Sequence, residues 1–495
     1  MSEVNTETRS SGLETRSIDY VPKSERHGKV WHIGPLWFMS NAQIATLAVG
    51  TTSFALGGNL IWSIIAIAIG LVIGTIFMAA HSSQGPKLGL PQMVQSRPQF
   101  GYIGALLVWL FAFLQYAGFN VFNTVLAGES VGDAVNTPST FSPVWAIVIT
   151  VVGAVVALWG YDLIHRMERY LVYLTVAVMA LVTVSAIVHL PLPAGAFDLG
   201  HFSPLAFFAQ LGVVAGYQIS WAIYVSDYSR YLPANTPTSQ TFRWTFWGSA
   251  VGGAWIMILG AYLAAAIKGF SPSDPVAGIF TISNDLFPGF GNIALIVFAL
   301  GLIAVIVLNM YGGSLTLISS IDSFKKVRAT RAIRIITVAI TAAISGILAI
   351  FITGSFEEFF SNFLLLVLYF FIPWTAVNLT DYFIVRKGHY AIAEIFKPRG
   401  IYRRWGWQGI SAYLIGFICM TPFFDIGKFY TGFIATAMGG VDISLFIGLP
   451  VSAILYWLFT RGLDLKSERD LADAQADSLE VEDGEREDLA GSIVE

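Results

Sequence analysis

The chain has 495 residues, of which 55% are hydrophobic and only 12% charged. A soluble domain carries about 25% charged residues, so this chain lacks the surface a large water-soluble protein needs, and a mean hydropathy of +0.66 agrees. Composition thus excludes a large cytosolic enzyme, a disordered chain and a nucleic-acid-binding protein. The 47 glycines and 14% aromatics suit packed transmembrane helices, where small residues let backbones approach. An outer-membrane barrel would instead show alternating polar and apolar strands without long apolar runs. One cysteine, Cys419, excludes an internal disulfide and a thiolate metal site. Residues 1–29 are polar and mixed in charge, and read as a cytoplasmic tail, not a cleavable signal.

A bilayer core of about 30 Å takes roughly 20 apolar residues per helix. That length rule predicts twelve segments, near 31–57, 60–80, 102–128, 142–160, 168–190, 204–225, 247–267, 291–320, 331–354, 358–384, 406–424 and 443–462. With the N-terminus inside, the cytoplasmic loops hold 17 Lys or Arg and the outer loops two, Lys268 and Lys428. The positive-inside rule then places both termini in the cytoplasm of a cell-membrane protein. From Gly462 onward, twelve acidic residues face three basic ones, the composition of a solvated, disordered tail.

Two segments look broken. The first reads GPLWFMSNAQIATLAVG, with Ser40, Asn41 and Gln43 at mid-membrane. The sixth carries Gly212, Gly216, Gln218 and Ser220 close together. Both open on P-L-x-F, at Pro35 and Pro204. An offset of five segments inverts the second copy, the pattern of an inverted repeat whose discontinuous helices meet at a midplane site. The third segment carries Gln115, Tyr116, Asn120 and Asn123, and the eighth carries Asn309 in an apolar stretch. An unpaired amide in hydrocarbon is costly, so Asn120 and Asn309 face the protein interior, paired with each other or a backbone, or turned to a ligand with amide-like edges. Tyr116 lies one turn before Asn120 on the same face, and Trp221 lies just past the sixth-segment break. Together they describe a flat slot in which a planar heteroaromatic ring stacks between aromatics while amides read its rim.

The segments WFMSNAQIATLAVG, GLPQMVQSRPQFGYIGALL, SWAIYVSDYSRYLP and FIPWTAVNLTDYFIVRKGHY resemble the nucleobase–cation symporter family. Within it they look like the purine–cytosine permeases, over about Trp31 to Phe459. The resemblance implies an all-α integral membrane protein of the leucine-transporter type. That architecture has a first five-helix repeat (30–190), a second, inverted one (191–384), then a cytoplasmic loop and two extra helices (385–462), with an acidic disordered tail (463–495). It also implies a substrate ring held between an aromatic of the third segment and a Trp of the sixth, with amides at its rim. Carried over motif by motif, W-F-x-x-x-x-Q falls on Trp37, Phe38 and Gln43. Aromatic-x-G-F-amide falls on Tyr116, Gly118, Phe119 and Asn120, and the remaining positions are Trp221 and Asn309. Gln218, in the sixth-segment break, joins the substrate-binding set. Tyr116 stands where hydantoin-transporting relatives have Trp, and Asn120 where they have Gln, which favours the permease branch.

Sodium-coupled relatives hold the ion with first-segment carbonyls and two eighth-segment hydroxyls. The same register here gives carbonyls at Met39 and Ala42, but Ile303 and Ala304 at the hydroxyl positions. This favours proton over sodium coupling. Candidate coupling acids are Glu129 and Asp227, for which a structural pair with Arg230 is the alternative; His32 and His81 titrate in the right range. The expected partners are a nucleobase or similar heterocycle, a co-transported proton and the lipid bilayer. No cofactor and no nucleic acid are expected. Allantoin, hydantoin, thiamine and pyridoxine remain open as substrates, as does sodium coupling. A membrane-embedded enzyme would need clustered Asp, Glu or His, and a Walker motif and H-E-x-x-H are both missing.

Overall fold

The computed structural model describes residues 18–159, 161–267, 270, 275–325, 330–352 and 356–476. Among the described residues, regular structure is helical apart from an isolated bridge between Asp425 and Thr431. Nine helices there are long and apolar enough to cross a membrane, and they correspond to the second through tenth expected segments. The other three segments are shorter or broken: the first is split, and the last two are Trp407–Met420 and Ser444–Phe459. Outward faces carry exposed apolar side chains such as Leu114, Val151, Ile187 and Phe351, the surface that lipid covers.

The first expected break is present, and the sixth lies just beyond its expected cluster, because Gly212, Gly216, Gln218 and Ser220 stay helical and the helix breaks from Trp221. The first segment runs as Ile33–Asn41, then Ile44–Gly50. Between them Ala42 (φ −85°, ψ 60°) and Gln43 (φ −139°, ψ 164°) leave the helical path. The cause is local. Ser40 Oγ donates to the Leu36 carbonyl, Asn41 Nδ2 to that of Trp37 and Gln43 Nε2 to that of Ser40. Such side-chain bonds give the backbone an alternative to the helical ladder. The sixth segment runs as Pro204–Ser220, a short 3-10 turn Trp221–Ile223, then Val225–Ser229.

Helix packing repeats with an offset of five. The first segment packs on the seventh and the second on the sixth; the third packs on the ninth and the fourth on the eighth; the third meets the fourth as the eighth meets the ninth. Two fivefold-shifted copies related by a pseudo-twofold axis pack this way. Close approach depends on small residues at both equivalent contacts. A Cβ on Gly252 of the seventh helix would lie 2.5 Å from the Phe38 carbonyl oxygen, and one on Gly74 of the second would lie 2.6 Å from that of Ala215. Each belongs to a pair four residues apart, Gly248 with Gly252 and Gly70 with Gly74, the spacing that brings membrane helices together.

Both described termini lie at one end of the bundle. Val21 N–H bonds the Gly89 carbonyl at 2.9 Å, and Arg386 bonds Glu468 at 2.8 Å. The tail departs from expectation: residues 465–476 are helical. Glu468 is buried and accepts from Arg386 Nε and the Tyr402 hydroxyl. Tertiary pairing, invisible in composition, orders this stretch; 477–495 lie outside the described residues, as do 1–17. A second difference is the helix Pro275–Leu286 between the seventh and eighth segments. It buries Val276, Ile279 and Ile282, and is too short to span.

Candidate functional site

The two breaks face each other and are tied by a closed amide network. Gln218 Nε2 donates to Asn41 Oδ1 at 2.9 Å, and Asn41 Nδ2 donates to Ser249 Oγ at 2.9 Å. Ser249 Oγ returns the bond to Gln218 Oε1 at 2.7 Å. Both ends of the Gln218 amide are thus engaged by the first and seventh segments. Gln43 bonds the Tyr217 hydroxyl through Nε2 at 3.3 Å, while its buried Oε1 has no partner.

Around this network lies an aromatic box. Trp221 is 3% exposed. Its ring stands 6.0 Å from Trp37, 6.1 Å from Tyr217 and 5.2 Å from Tyr224. Phe119 of the third segment faces it with centroids 6.4 Å apart and planes only 21° apart. A planar ring between two aromatic faces needs about 7 Å, twice a carbon contact distance, so this pair is close to the required separation.

Tyr116 sits elsewhere than the sandwich reading expects. Its ring meets Tyr224 edge-on at 4.8 Å, and its hydroxyl bonds the Ile223 carbonyl at 3.4 Å. It fits because the eighth segment has Gly312, where a Cβ would lie 2.6 Å from the Tyr116 ring. Phe119, three residues further on, takes the near-parallel position opposite Trp221. The sequence names Phe119 within its motif but gives no sign that it, and not Tyr116, faces Trp221.

The amides carry the strongest polar signal. Asn120 and Asn309 are fully buried. Asn309 Oδ1 accepts from the Tyr224 hydroxyl at 2.6 Å, while its Nδ2 has no partner. Both polar atoms of Asn120 and the indole Nε1 of Trp221 are also buried without partners. Most buried side-chain polar atoms in proteins are hydrogen-bonded; other exceptions, such as Thr75 Oγ1 and the Tyr413 hydroxyl, lie elsewhere in the bundle, while those of Asn120, Asn309 and Trp221 belong to the segments that build one aromatic box.

A cavity of about 540 Å³ opens at the end that carries the termini and reaches Gln43, while Trp221, Phe119, Asn120 and Asn309 lie beyond its lining. Lys29, Trp31 and His32 line its mouth, Tyr228 and Leu308 its walls, and Met39, Ser40, Ala42 and Gln43 its depth. Ala304 also lines it, and Ile303 is buried beside it on the same helix. Two hydroxyls further along the eighth segment are engaged elsewhere: Ser314 with Thr337 at 2.6 Å, and Thr316 with the Gly312 carbonyl at 2.9 Å. Thr175 of the fifth segment contributes a hydroxyl that the sequence does not reveal; it is 2% exposed, lines the same cavity, and its Oγ1 has no partner. Among the described residues, no Asp or Glu lines this cavity. Glu129 is half-buried near the far end of Leu106–Ala134. Asp227 is half-buried and accepts from the Gln92 N–H at 2.8 Å, tying the sixth segment to the loop after the second. His81 stacks on Trp374 at 4.5 Å, away from the cavity lining.

Comparison with known proteins shows the family and the fold. Residues 20–448 match the family model described as permease for cytosine/purines, uracil, thiamine, allantoin. The chain is 38% identical to the putative purine-cytosine permease YxlA of Bacillus subtilis, over 91% of this chain and 96% of the relative. It is 25% identical to the purine-cytosine permease FCY2 of Saccharomyces cerevisiae, over 92% of this chain and 87% of that one. Among solved structures it is similar to Mhp1, a nucleobase-cation-symport-1 family transporter. The closed form with bromovinylhydantoin bound gives a TM-score of 0.69 at 17% identity, covering 93% of this chain and 99% of Mhp1. The inward-facing form gives 0.71, covering 94% and 98%. The chain is a multi-pass membrane protein with the Mhp1 fold, and it belongs to the permease family for cytosine/purines, uracil, thiamine and allantoin.

Proposed function

We propose that this chain is a secondary active transporter that imports a nucleobase of cytosine or purine type across the cytoplasmic membrane in symport with a proton. The observation that carries the reading is the set of buried, unsatisfied polar atoms on Asn120, Asn309 and Trp221 around the Trp221–Phe119 pair. A flat heterocycle with donors and acceptors on its rim satisfies all of them at once. Twelve segments cross the membrane with both termini inside. In that orientation the cavity opens to the cytoplasm, and alternating access consists of rocking the segments that carry the two breaks against the third, fourth, eighth and ninth.

Proton coupling rests on what the cation region offers. Carbonyls of Met39 and Ala42 and the Thr175 hydroxyl offer only three oxygens, and Ala304 adds no side-chain ligand. A dehydrated sodium ion needs several oxygens, and burying a charge without them is costly. The substrate class is tested by a competition panel in cells expressing the chain, with unlabelled cytosine, adenine, hypoxanthine, uracil, allantoin, hydantoin, thiamine and pyridoxine against labelled cytosine. Displacement by bases and not by allantoin, hydantoin or the vitamins is expected. Displacement by the vitamins, allantoin or hydantoin alone would overturn the reading.

A further inference from the structure

Asn123 is fully buried in the middle of a membrane helix, and neither Oδ1 nor Nδ2 has a partner. Asn is a poor helix former in a helix interior, and leaving a buried amide unsatisfied costs about 1–3 kcal/mol. An apolar side chain of the same size would pack this position at lower cost. The position of Asn123 in the helix shows what the amide faces. It follows Tyr116 by seven residues, so at 100° per residue the two side chains leave the helix within about 20° of each other. The Tyr116 ring fixes that direction, because it meets Tyr224 of the sixth segment and Gly312 of the eighth. Asn123 thus faces the segments that hold Trp221 and Asn309.

Asn120 and Asn123 differ by about 60° in direction and about 4.5 Å along the axis. Side chains in a helix lean toward its N-terminus, which carries the Asn123 amide back toward the level of Asn120. All four polar ends of these two amides are unpartnered. One amide suffices to read the hydrogen-bonding edge of a single six-membered ring. A second, offset amide matches the further edge that a fused five-membered ring adds. An Asn amide, with a donor and an acceptor side by side, pairs bidentately with N6 and N7 of adenine, and in hypoxanthine its Nδ2 donates to the N7 or O6 acceptor on the same edge.

Building on the nucleobase reading above, we infer that Asn123 is a substrate-contacting residue that recognises the second ring of a purine, giving the site its purine affinity. The test uses the full-length chain, with uptake of labelled cytosine competed by adenine, hypoxanthine and uracil, in wild type, Asn123→Ala and Asn123→Leu at measured membrane abundance. Half-inhibitory concentrations for the two purines should rise about tenfold or more in both variants, while the KM for cytosine and inhibition by uracil change less than threefold. Asn123→Leu should reach the membrane at least as well as wild type, since the amide has no partner in the protein to lose. Equal losses for one-ring and two-ring bases, no loss at all, or failure of both variants to reach the membrane would each overturn the assignment. So would a wild type that takes cytosine but no purine, a result that leaves the nucleobase reading intact. Loss of all base competition in the wild type would instead overturn that broader reading.

Discussion

The Tyr224 hydroxyl donates to Asn309 Oδ1 at 2.6 Å, and this bond fixes which way the Asn309 amide points. With Oδ1 accepting from Tyr224, Nδ2 is the unpartnered end of the amide, and on the nucleobase reading it is the end that would donate to a ligand. Tyr224 belongs to the sixth-segment break and also packs on Trp221 and Tyr116. One side chain therefore couples the stacking surface to the amide rim.

Tyr224→Phe should keep the ring contacts but free the Asn309 amide to turn. Losing a hydrogen bond of this kind costs about 0.5–1.5 kcal/mol, so the KM for the preferred base should rise roughly three- to tenfold. The order of competing bases should also change, because Asn309 can now accept as well as donate. Unchanged KM and unchanged order in uptake assays would show that Asn309 does not touch the substrate.

Trp221→Ala should abolish measurable uptake at normal membrane abundance. Phe119→Ala should weaken binding by about 0.5–1.5 kcal/mol, the worth of an aromatic pair beyond burial, and Phe119→Tyr should be mild. The comparison separates the two candidate partners of the third segment. A larger binding loss from Tyr116→Ala than from Phe119→Ala would restore Tyr116 as the stacking face.

Gln218→Leu should leave the buried Asn41 Oδ1 without its donor and the Ser249 hydroxyl without its acceptor. The expected effect is a loss of about 1–3 kcal/mol in stability, read as a lower melting temperature in detergent, with the order of competing bases preserved. A variant of full stability with an altered base order would instead make Gln218 a direct reader of the substrate.

The two breaks were legible because Ser40, Asn41, Gln43 and Gln218 interrupt apolar runs, and polar groups in hydrocarbon need a reason. Their pairing was not legible: the Asn41–Gln218–Ser249 ring joins three segments far apart in the chain. Phe119 stands in the third-segment motif, but its place opposite Trp221, 6.4 Å away, is not legible there because a Phe on a membrane helix is ordinary. The helix Pro275–Leu286 carries a readable apolar stripe at Val276, Ile279 and Ile282, but falls below the length that marks a span. The ordered tail depended on a burial that composition opposes. Glu468 is held by Arg386, which also bonds the buried Asp381, itself bonded by Gln99 at 2.6 Å and Tyr390 at 2.9 Å.

That ion cluster gives a stability prediction. Arg386→Met removes the cation from between two buried carboxylates, and breaking a buried pair costs about 3–5 kcal/mol. The variant should be poorly folded, with low membrane abundance. Arg386→Lys should recover only part, because an ammonium lacks the planar fork that reaches Asp381 and Glu468 together. Wild-type melting behaviour in Arg386→Met would mean the cluster adds nothing to the fold.

The most direct test is uptake of labelled cytosine into proteoliposomes holding the purified chain, driven by imposed gradients. An inward proton gradient in choline buffer should accumulate the base above equilibrium, and a protonophore should abolish accumulation. Uptake should increase as outside pH falls from roughly 7.5 to 5.5, the window in which His and raised carboxylates titrate. An inward sodium gradient at equal pH should drive nothing. Accumulation that requires sodium and ignores pH would contradict the account and make Thr175, with the Met39 and Ala42 carbonyls, the ion site to mutate first.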